Sequence, residues 1–171
     1  MKSATLRKMI TAAVMTALIT AGTAVISIPL PTGYVHLGDG LVLLAGFLLG
    51  PIWGAAAAGL GSALADLFLG YALYAPGTFV VKALTAAVCA LLCGALSRIV
   101  KNPIIPLVGG AVTGALVMVG GYLIYESVIL GVGAAAVASV PGNLTQGAVG
   151  AVVFCLLAAL FRKRRITSNL K

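Results

Sequence analysis

The side chains in this sequence that could do chemistry are a few ionisable residues inside or beside long apolar stretches. Asp66, Lys82 and Glu126 interrupt such stretches, and His36 and Asp39 stand near the start of another. A charged side chain inside a membrane costs several kcal/mol and is a functional candidate by default. Carboxylates, an ammonium group and an imidazole could hold a small polar molecule by charge-assisted hydrogen bonds. They could equally pair with one another, Lys82 with Asp66 or Glu126, and fix helix packing; the residues alone leave both interpretations open.

Polar residues recur at one depth in four of the apolar stretches. Each lies four or five residues from a Gly or Pro that ends its stretch on the same side, and they are Asp66, Lys82, Glu126 and Gln146. At about 1.5 Å per residue, these positions lie about 6–8 Å inside the ends of their helices. Each shares a helix face with a second polar residue three or four positions away, and these are Ser62, Thr78, Tyr122 and Asn143. Lipid would not solvate such faces, so we expect them to point at one another or at a bound molecule.

Four tyrosines at the same level, Tyr71, Tyr74, Tyr122 and Tyr125, could stack on a flat ring or form an interfacial aromatic belt. A surplus of donors and acceptors at one depth is typical of a site that captures a small polar molecule. The sequence has no Ser/His/Asp set and no phosphate-binding glycine loop, and its one histidine cannot make a metal site. We therefore expect binding without catalysis, with no metal and no cofactor in this chain.

The composition indicates the class of protein that carries these residues. Of the 171 residues, 61% are hydrophobic and 8% are charged, and the mean hydropathy is +1.17. A soluble domain has about a quarter charged residues, so a water-soluble globular domain and a disordered chain are both excluded. We expect an all-α integral membrane protein that forms a single domain over residues 1–171.

Pro and Gly residues divide the chain into six predicted transmembrane helices, at about 7–28, 38–50, 52–70, 77–98, 104–130 and 141–162. The second span has only 13 residues, or about 20 Å, which is too short for a hydrocarbon core of about 30 Å. We expect the loop from Pro29 to Gly38 to dip into the protein and to be partly buried, because irregular backbone at membrane depth must line a cavity or contact protein.

Basic residues predict the orientation in the membrane. Ten of the eleven fall in three clusters, which are Lys2 with Arg7 and Lys8, Arg98 with Lys101, and 162–165 with Lys171. With six spans all three clusters lie on one side, which the positive-inside rule makes cytoplasmic. The same placement explains the net charge of +8 without nucleic acid. We expect a multi-pass membrane protein, with both termini in the cytoplasm and the polar groups near the outer face.

The first predicted span carries a strip of small residues, Ala13, Ala17 and Ala21, spaced four apart. Small residues at this spacing let another helix approach closely. The partner could be a helix of the same chain or one of a separate protein.

Four stretches resemble one family of transport proteins. They are Gly33-Tyr-Val-His-Leu-Gly-Asp39, Leu48-Leu-Gly-Pro51, Gly61-Ser-Ala-Leu-Ala-Asp66 and Pro141-Gly-Asn-Leu-Thr-Gln146. Together with six short spans, the alanine strip and the dipping loop, they are similar to the substrate-binding S component of energy-coupling factor (ECF) vitamin transporters. The resemblance covers essentially the whole chain. It lies in the branch grouped with riboflavin-type S components, which includes hydroxymethylpyrimidine and pyridoxine carriers.

The resemblance implies that the chain lies in a bacterial cell membrane, captures a micronutrient at the outer face and passes it inward by toppling in the membrane. A transmembrane coupling subunit and two cytoplasmic ATPases would be its partners besides the lipid bilayer, and ATP would be used by those partners. Ala13, Ala17 and Ala21 would dock on the coupling subunit. The implied substrate-binding residues are His36, Asp39, Lys82, Glu126, Asn143 and Gln146, to which Tyr74 and Tyr122 are added from their level in the membrane. Asp66 would have a structural or a binding role, and the several carboxylates favour a ring smaller and more polar than riboflavin.

Three other functions compete with this interpretation. A self-sufficient transporter could use Asp66 or Glu126 as a proton or sodium relay, but the inner half of the sequence shows no polar path and no inverted repeat. An intramembrane hydrolase would need a catalytic set that is missing. A purely structural subunit would use the same polar residues only for packing.

Overall fold

A computed structural model of the chain describes residues 3–25, 27–30 and 33–168. In this part of the chain a short β-hairpin lies between the first two of five α-helices. The helices are α1 (Ser3–Ala24), α2 (Gly38–Phe68), α3 (Ala75–Ile99), α4 (Ile104–Ile124) and α5 (Val140–Ser168). The strands are β1 (Ser27–Leu30) and β2 (Gly33–His36). A π-helical turn, Tyr125–Ile129, continues α4, and a 3₁₀ helix, Gly133–Ser139, leads into α5.

Helix α2 contains both the second and the third predicted spans. Gly50 interrupts it with φ of 81° and ψ of 179°, a conformation that a residue with a side chain rarely adopts, and a proline follows. The chain folds back here, since a Cβ on Gly54 would lie 2.6 Å from the Cα of Gly46. Eight residues of straight helix would separate them by about 12 Å. The predicted count of six helices is therefore wrong, because the two arms of α2, 38–49 and 51–68, form one bent element with no loop between them.

Four helical stretches of the described chain are long and apolar enough to cross a membrane, and they are Gly38–Phe68, Ala75–Ile99, Ile104–Ile129 and Gly133–Phe161. Helix α1, the first predicted span, is a helix of 22 residues but is not one of these four. Its threonines, together with Arg7 and Lys8, lower its hydropathy.

The segment predicted to dip into the protein is the β-hairpin. Its strands pair antiparallel, with Ser27 opposite His36 and Leu30 opposite Gly33. His36 is buried with 6% of its surface exposed, directly before α2 begins. The hairpin therefore places a buried histidine at the end of the bundle where α2 begins.

The helices run back and forth between two ends of the bundle, and these ends differ in their chemistry. We call one the hairpin end, defined by the β-hairpin, the first turn of α3 and the π-helical turn Tyr125–Ile129. The opposite end, which we call the basic end, holds Arg7, Lys8, Arg98 and Lys101 near the start of α1 and the end of α3. Between them lies an apolar core of mainly small and aliphatic side chains, with Leu43, Met118 and Phe154 among the most buried. The ionisable residues singled out in the sequence all lie on the hairpin side of this core.

Candidate functional site

An ion pair is buried where three helices meet at the hairpin end. The Lys82 ammonium on α3 donates a hydrogen bond to the Asp39 carboxylate in the first turn of α2. The Gln146 amide on α5 donates to the second carboxylate oxygen of Asp39, Nε2 to Oδ2, over 2.9 Å. Lys82 Nζ and Gln146 Nε2 also lie 3.2 and 3.5 Å from the Met118 sulfur on α4. We call Asp39, Lys82, Gln146 and His36 the inner cluster.

The inner cluster also attaches the β-hairpin to the helices. The backbone N–H of His36 donates to Oε1 of Gln146 over 3.2 Å, so the two ends of one amide join the hairpin to Asp39. The imidazole Nδ1 of His36 accepts from the backbone N–H of Gly38 over 3.0 Å. Burial lowers the pKa of His36 to about 4, with the Asp39 carboxylate opposing and Lys82 reinforcing this shift. The neutral imidazole that results can act as the acceptor.

Glycines let α5 approach α2 closely enough for these contacts. A Cβ on Gly150 would lie 2.6 Å from the Cβ of Asp39, and a Cβ on Gly40 would lie 2.5 Å from a methyl group of Val153. The backbones of α2 and α5 are therefore in close contact at Gly150, about one helical turn after Gln146. A larger residue at either glycine would separate the amide from the carboxylate.

Lys82 has no exposed surface and is the largest fully buried side chain of the described residues. An unpaired ammonium at this place would cost several kcal/mol, so the Asp39 partner is needed for the fold. The Tyr122 ring adds a cation–π contact, with its centroid 5.3 Å from Nζ. The Tyr122 hydroxyl and Thr78 Oγ1 are hydrogen-bonded at 3.0 Å. The inner cluster is thus a paired and hydrogen-bonded unit.

A second polar group lies about one helical turn closer to the hairpin end. Glu126, four residues after Tyr122, accepts a hydrogen bond from the Ser139 hydroxyl, Oγ to Oε2, over 2.5 Å. The Asn143 amide donates to the same hydroxyl oxygen over 3.4 Å. The Tyr74 hydroxyl is also hydrogen-bonded to the Glu126 side chain. We call Glu126, Ser139, Asn143 and Tyr74 the outer cluster.

Irregular backbone surrounds the outer cluster. Glu126 lies in the π-helical turn, and its carbonyl oxygen accepts from the N–H of Val132, six residues later. Ser139 ends the 3₁₀ helix. Single π-helical turns are frequent at functional sites. At membrane depth such backbone is tolerated where it is buried in protein or lines a cavity.

Tyrosine rings continue from the outer cluster toward the α2–α3 loop. The Tyr71 and Tyr74 ring centroids are 6.4 Å apart, and those of Tyr74 and Tyr125 are 6.3 Å apart. Tyr125 lies so close to Gly77 that a Cβ there would come within 2.5 Å of its ring. The Tyr125 hydroxyl donates to the Leu73 carbonyl over 2.6 Å. The rings and the carboxylate form one partly open surface, since Tyr71, Tyr74 and Tyr125 are half-buried.

Asp66 is buried near the end of the second arm of α2, with 2% of its surface exposed. Its backbone carbonyl accepts from the N–H of Tyr71, and its carboxyl acts electrostatically on Tyr74. It therefore lies beside the tyrosines and at the same end as both clusters. Its role in binding or in packing stays a prediction.

The eight predicted substrate-binding residues gather at one end of the fold but divide into two groups. Tyr122 lies between them, and the others belong to the inner or the outer cluster as defined above. The expectation that Lys82 would pair with Asp66 or Glu126, if it paired internally, is wrong, because Asp39 takes that position. Sequence reasoning missed Ser139 and Met118, which contact Glu126 and Lys82. Ser139 lies in the Ala-rich connection between the fifth and sixth predicted spans, and Met118 looks like an ordinary apolar core residue.

The small residues of α1 have two faces. Thr16 and Thr20 donate to the carbonyl oxygens of Ala57 and Gly61 on the second arm of α2, over 3.4 and 2.9 Å. The strip Ala13, Ala17 and Ala21 is exposed instead and lines a groove of about 570 Å³ that Leu64 and Phe68 border. The chain itself leaves this strip uncovered in the part the structure describes.

Comparison with known proteins agrees with this architecture. A sequence model of the family described as "ECF-type riboflavin transporter, S component" matches residues 3–163. An uncharacterized protein of Pyrococcus woesei is 34% identical over 148 residues, which cover 85% of this chain and 95% of that protein. A solved structure of the S component of a bacterial ECF transporter superposes with a TM-score of 0.66 at 24% identity, covering 98% of this chain and 99% of the other.

The family match spans nearly the whole chain, and the solved structure has the same fold. The resemblance of the sequence motifs to ECF S components is confirmed, and so is a multi-pass membrane protein. The family is one of transporter subunits rather than of enzymes. This chain therefore belongs to the family described as "ECF-type riboflavin transporter, S component", a family of substrate-binding subunits of ECF transporters.

Proposed function

We propose that this chain is the high-affinity subunit of an ATP-driven ECF importer for a small polar vitamin or vitamin precursor. It captures the ligand at the outer face, at the hairpin end of the bundle, and delivers it inward. The ligand is of the pyridoxine or hydroxymethylpyrimidine kind, a single polar ring rather than a large fused one. Both termini are cytoplasmic in this proposal, which makes the basic end the inner one.

The observation that carries the proposal is the convergence of buried polar groups from separate elements at one end of a membrane protein. The hairpin, both arms of α2, and α3, α4 and α5 each contribute at least one such residue. A single ion pair would be enough to fix helix packing, but two further carboxylates, Asp66 and Glu126, are buried beside it. Polar groups that converge under partly open aromatic rings are typical of a small-molecule site.

A small ring suits the composition of this region. The hydrogen-bond partners of Glu126 are Ser139 and Tyr74, and the apolar cluster that contacts Tyr74 is small, formed by Val81, Met118 and Tyr122 with Val119 packed against them. A tricyclic ligand would need a larger apolar surface to offset the loss of its hydration. The polar groups therefore favour a ligand with several hydrogen-bonding substituents on one ring.

The exposed alanine strip supports docking on a transmembrane coupling subunit. Ala13, Ala17 and Ala21 line an exposed groove, and small residues at this spacing let a helix of another protein approach closely. Two cytoplasmic ATPases would complete the importer and consume the ATP. The S component needs no nucleotide site of its own in such an assembly.

Native mass spectrometry of the protein purified in mild detergent tests capture directly. We expect it to retain one small molecule from the growth medium, with a mass in the range of single-ring vitamins. Uptake measured in cells with and without the two ATPases tests the mode of transport. Uptake that persists without any ATPase would instead favour a self-sufficient proton- or sodium-coupled transporter.

A further inference from the structure

The hairpin end carries an excess of negative charge. The chain has three acidic residues in all, and Asp39, Asp66 and Glu126 are all buried at this end, each with at most 4% of its surface exposed. One basic residue, Lys82, is buried with them, and His36 is held in its neutral form. Three acidic side chains and one lysine are therefore buried at this end.

The single ammonium group is already paired. Lys82 contacts Asp39, and this is the one ion pair between side chains in the described part of the chain. Glu126 has Ser139 and Tyr74 as hydrogen-bond donors, both of them neutral. A cation that approaches a buried carboxylate whose hydrogen-bond donors are all neutral stabilises the charged form of that carboxylate.

Among the residues that the structure describes with their side chains, no other basic residue can reach Glu126. Arg98 lies sixteen residues beyond Lys82 on α3, which is about 24 Å along the helix. The remaining lysines and arginines belong to α1 and the chain ends or to the α3–α4 connection, and residues 26–35 contain none. Within the described residues Glu126 therefore has no cationic partner, and a cation from outside the chain would provide one.

Two independent features suit Glu126 for contact with a ligand. Glu126 lies in the π-helical turn, and its carboxylate accepts a hydrogen bond from Ser139. The half-buried rings of Tyr74 and Tyr125, 6.3 Å apart, lie beside it. Aromatic rings next to a carboxylate are a recurring device for binding organic cations, because the ring faces attract positive charge.

We propose that the outer cluster binds its ligand as a cation, with Glu126 as the counterion of a positively charged nitrogen heterocycle that lies against Tyr74 and Tyr125. This inference rests on the proposed function and specifies the charge of its substrate. The inner cluster, whose charges are already matched, lies about one helical turn deeper in the bundle.

A matched pair of probes tests the charge. One is hydroxymethylpyrimidine methylated on a ring nitrogen, which carries a fixed positive charge. The other is the uncharged aniline of the same shape, with carbon in place of both ring nitrogens. Titration calorimetry on the purified protein is expected to show at least about tenfold tighter binding of the cation.

Two variants show which group is responsible. Glu126→Gln keeps the size and hydrogen-bonding capacity of the side chain but removes its charge, and it is expected to abolish the preference for the cationic probe. Asp66→Asn removes the same charge elsewhere at this end and is expected to leave most of the preference. Circular dichroism on each variant confirms that it is folded.

The proposal is overturned if the wild-type protein binds both probes equally or binds neither, or if Glu126→Gln keeps the preference. Retention of a neutral or acidic molecule in native mass spectrometry would also overturn it while leaving vitamin capture intact. If the protein retains no small molecule at all and the ATPase-dependent uptake is absent, the proposed function itself fails.

Discussion

The inner and outer clusters lie about one helical turn apart, yet their chemistry differs. In the inner cluster Asp39 meets both an ammonium and an amide, so its charge and both of its oxygens are matched within the chain. In the outer cluster Glu126 has hydroxyl partners only. A buried ionisable residue is therefore not by itself evidence of a ligand site. We therefore propose that the unmatched charge of Glu126 suits it to contact a ligand, whereas the matched charge of Asp39 stabilises the fold.

The contrast also assigns different mechanical roles. The inner cluster ties the hairpin to α2, α3 and α5 through His36 and Gln146, and its loss would loosen several elements together. The outer cluster connects the π-helical turn to the start of α5 by hydrogen bonds to Ser139, and Tyr74, directly before α3, is hydrogen-bonded to Glu126. Each prediction below alters one side of this comparison.

Breaking the inner ion pair should have the largest effect. Lys82→Met leaves the Asp39 carboxylate buried without its counterion, which we expect to cost about 3–5 kcal/mol of stability. The double variant Lys82→Met with Asp39→Leu removes both charges and should recover most of this loss. Thermal unfolding in detergent, followed by circular dichroism, measures both. An unchanged midpoint in the single variant would contradict the structural role of the pair.

Acidification should weaken the inner cluster through His36. The pKa of this residue is about 4 in the folded protein, against 6.5 for an ordinary histidine, so the unfolded chain binds the extra proton first. Stability should be complete above pH 6.5 and fall as the pH drops toward 4, by up to about 3 kcal/mol. His36→Asn keeps an acceptor for the Gly38 N–H but does not titrate in this range. The unfolding midpoint of this variant should therefore depend less on pH between 6.5 and 4, and an identical pH profile would argue against His36 as the cause.

Removing the charge of the outer cluster should affect the ligand more than the fold. We expect Glu126→Gln to weaken binding of the natural ligand at least about tenfold, or roughly 1.4 kcal/mol, because the amide offers no counterion. Its unfolding midpoint without ligand should stay near that of the wild type. Calorimetric titration with the molecule identified by mass spectrometry provides the affinity. A large loss of stability with unchanged affinity would reverse the roles of the two clusters.

The smallest effect on binding is expected for Ala17→Leu, far from both clusters. The larger side chain would fill the groove of α1 and block close approach of a partner helix, so transport should fall while ligand affinity stays the same. Val14→Leu is a matched control, since Val14 is exposed on α1 outside that groove. Copurification of the Ala17→Leu variant with normal amounts of the coupling subunit would contradict the docking role.

Local chemistry explains what could be predicted for the fold. Long apolar runs predict membrane helices, and proline or glycine pairs mark their ends to within a few residues, as for α3, predicted at 77–98 and found at Ala75–Ile99. The second and third predicted spans have correct limits but form a single bent helix. A Gly-Pro pair interrupts the helix, while whether the arms then separate or pack together depends on contacts such as that of Gly54 with Gly46.

The sequence by itself determined the membrane class, the family and the set of polar residues at one end, because hydrophobicity and residue spacing along a helix are local properties. Only the tertiary structure decided that Lys82 pairs with Asp39, forty-three positions away, and that Glu126 meets Ser139 instead. Ion pairing depends on distances of a few ångströms between elements that are remote in the chain. Spacing can place several carboxylates at one depth, but helix packing selects the one that reaches the lysine.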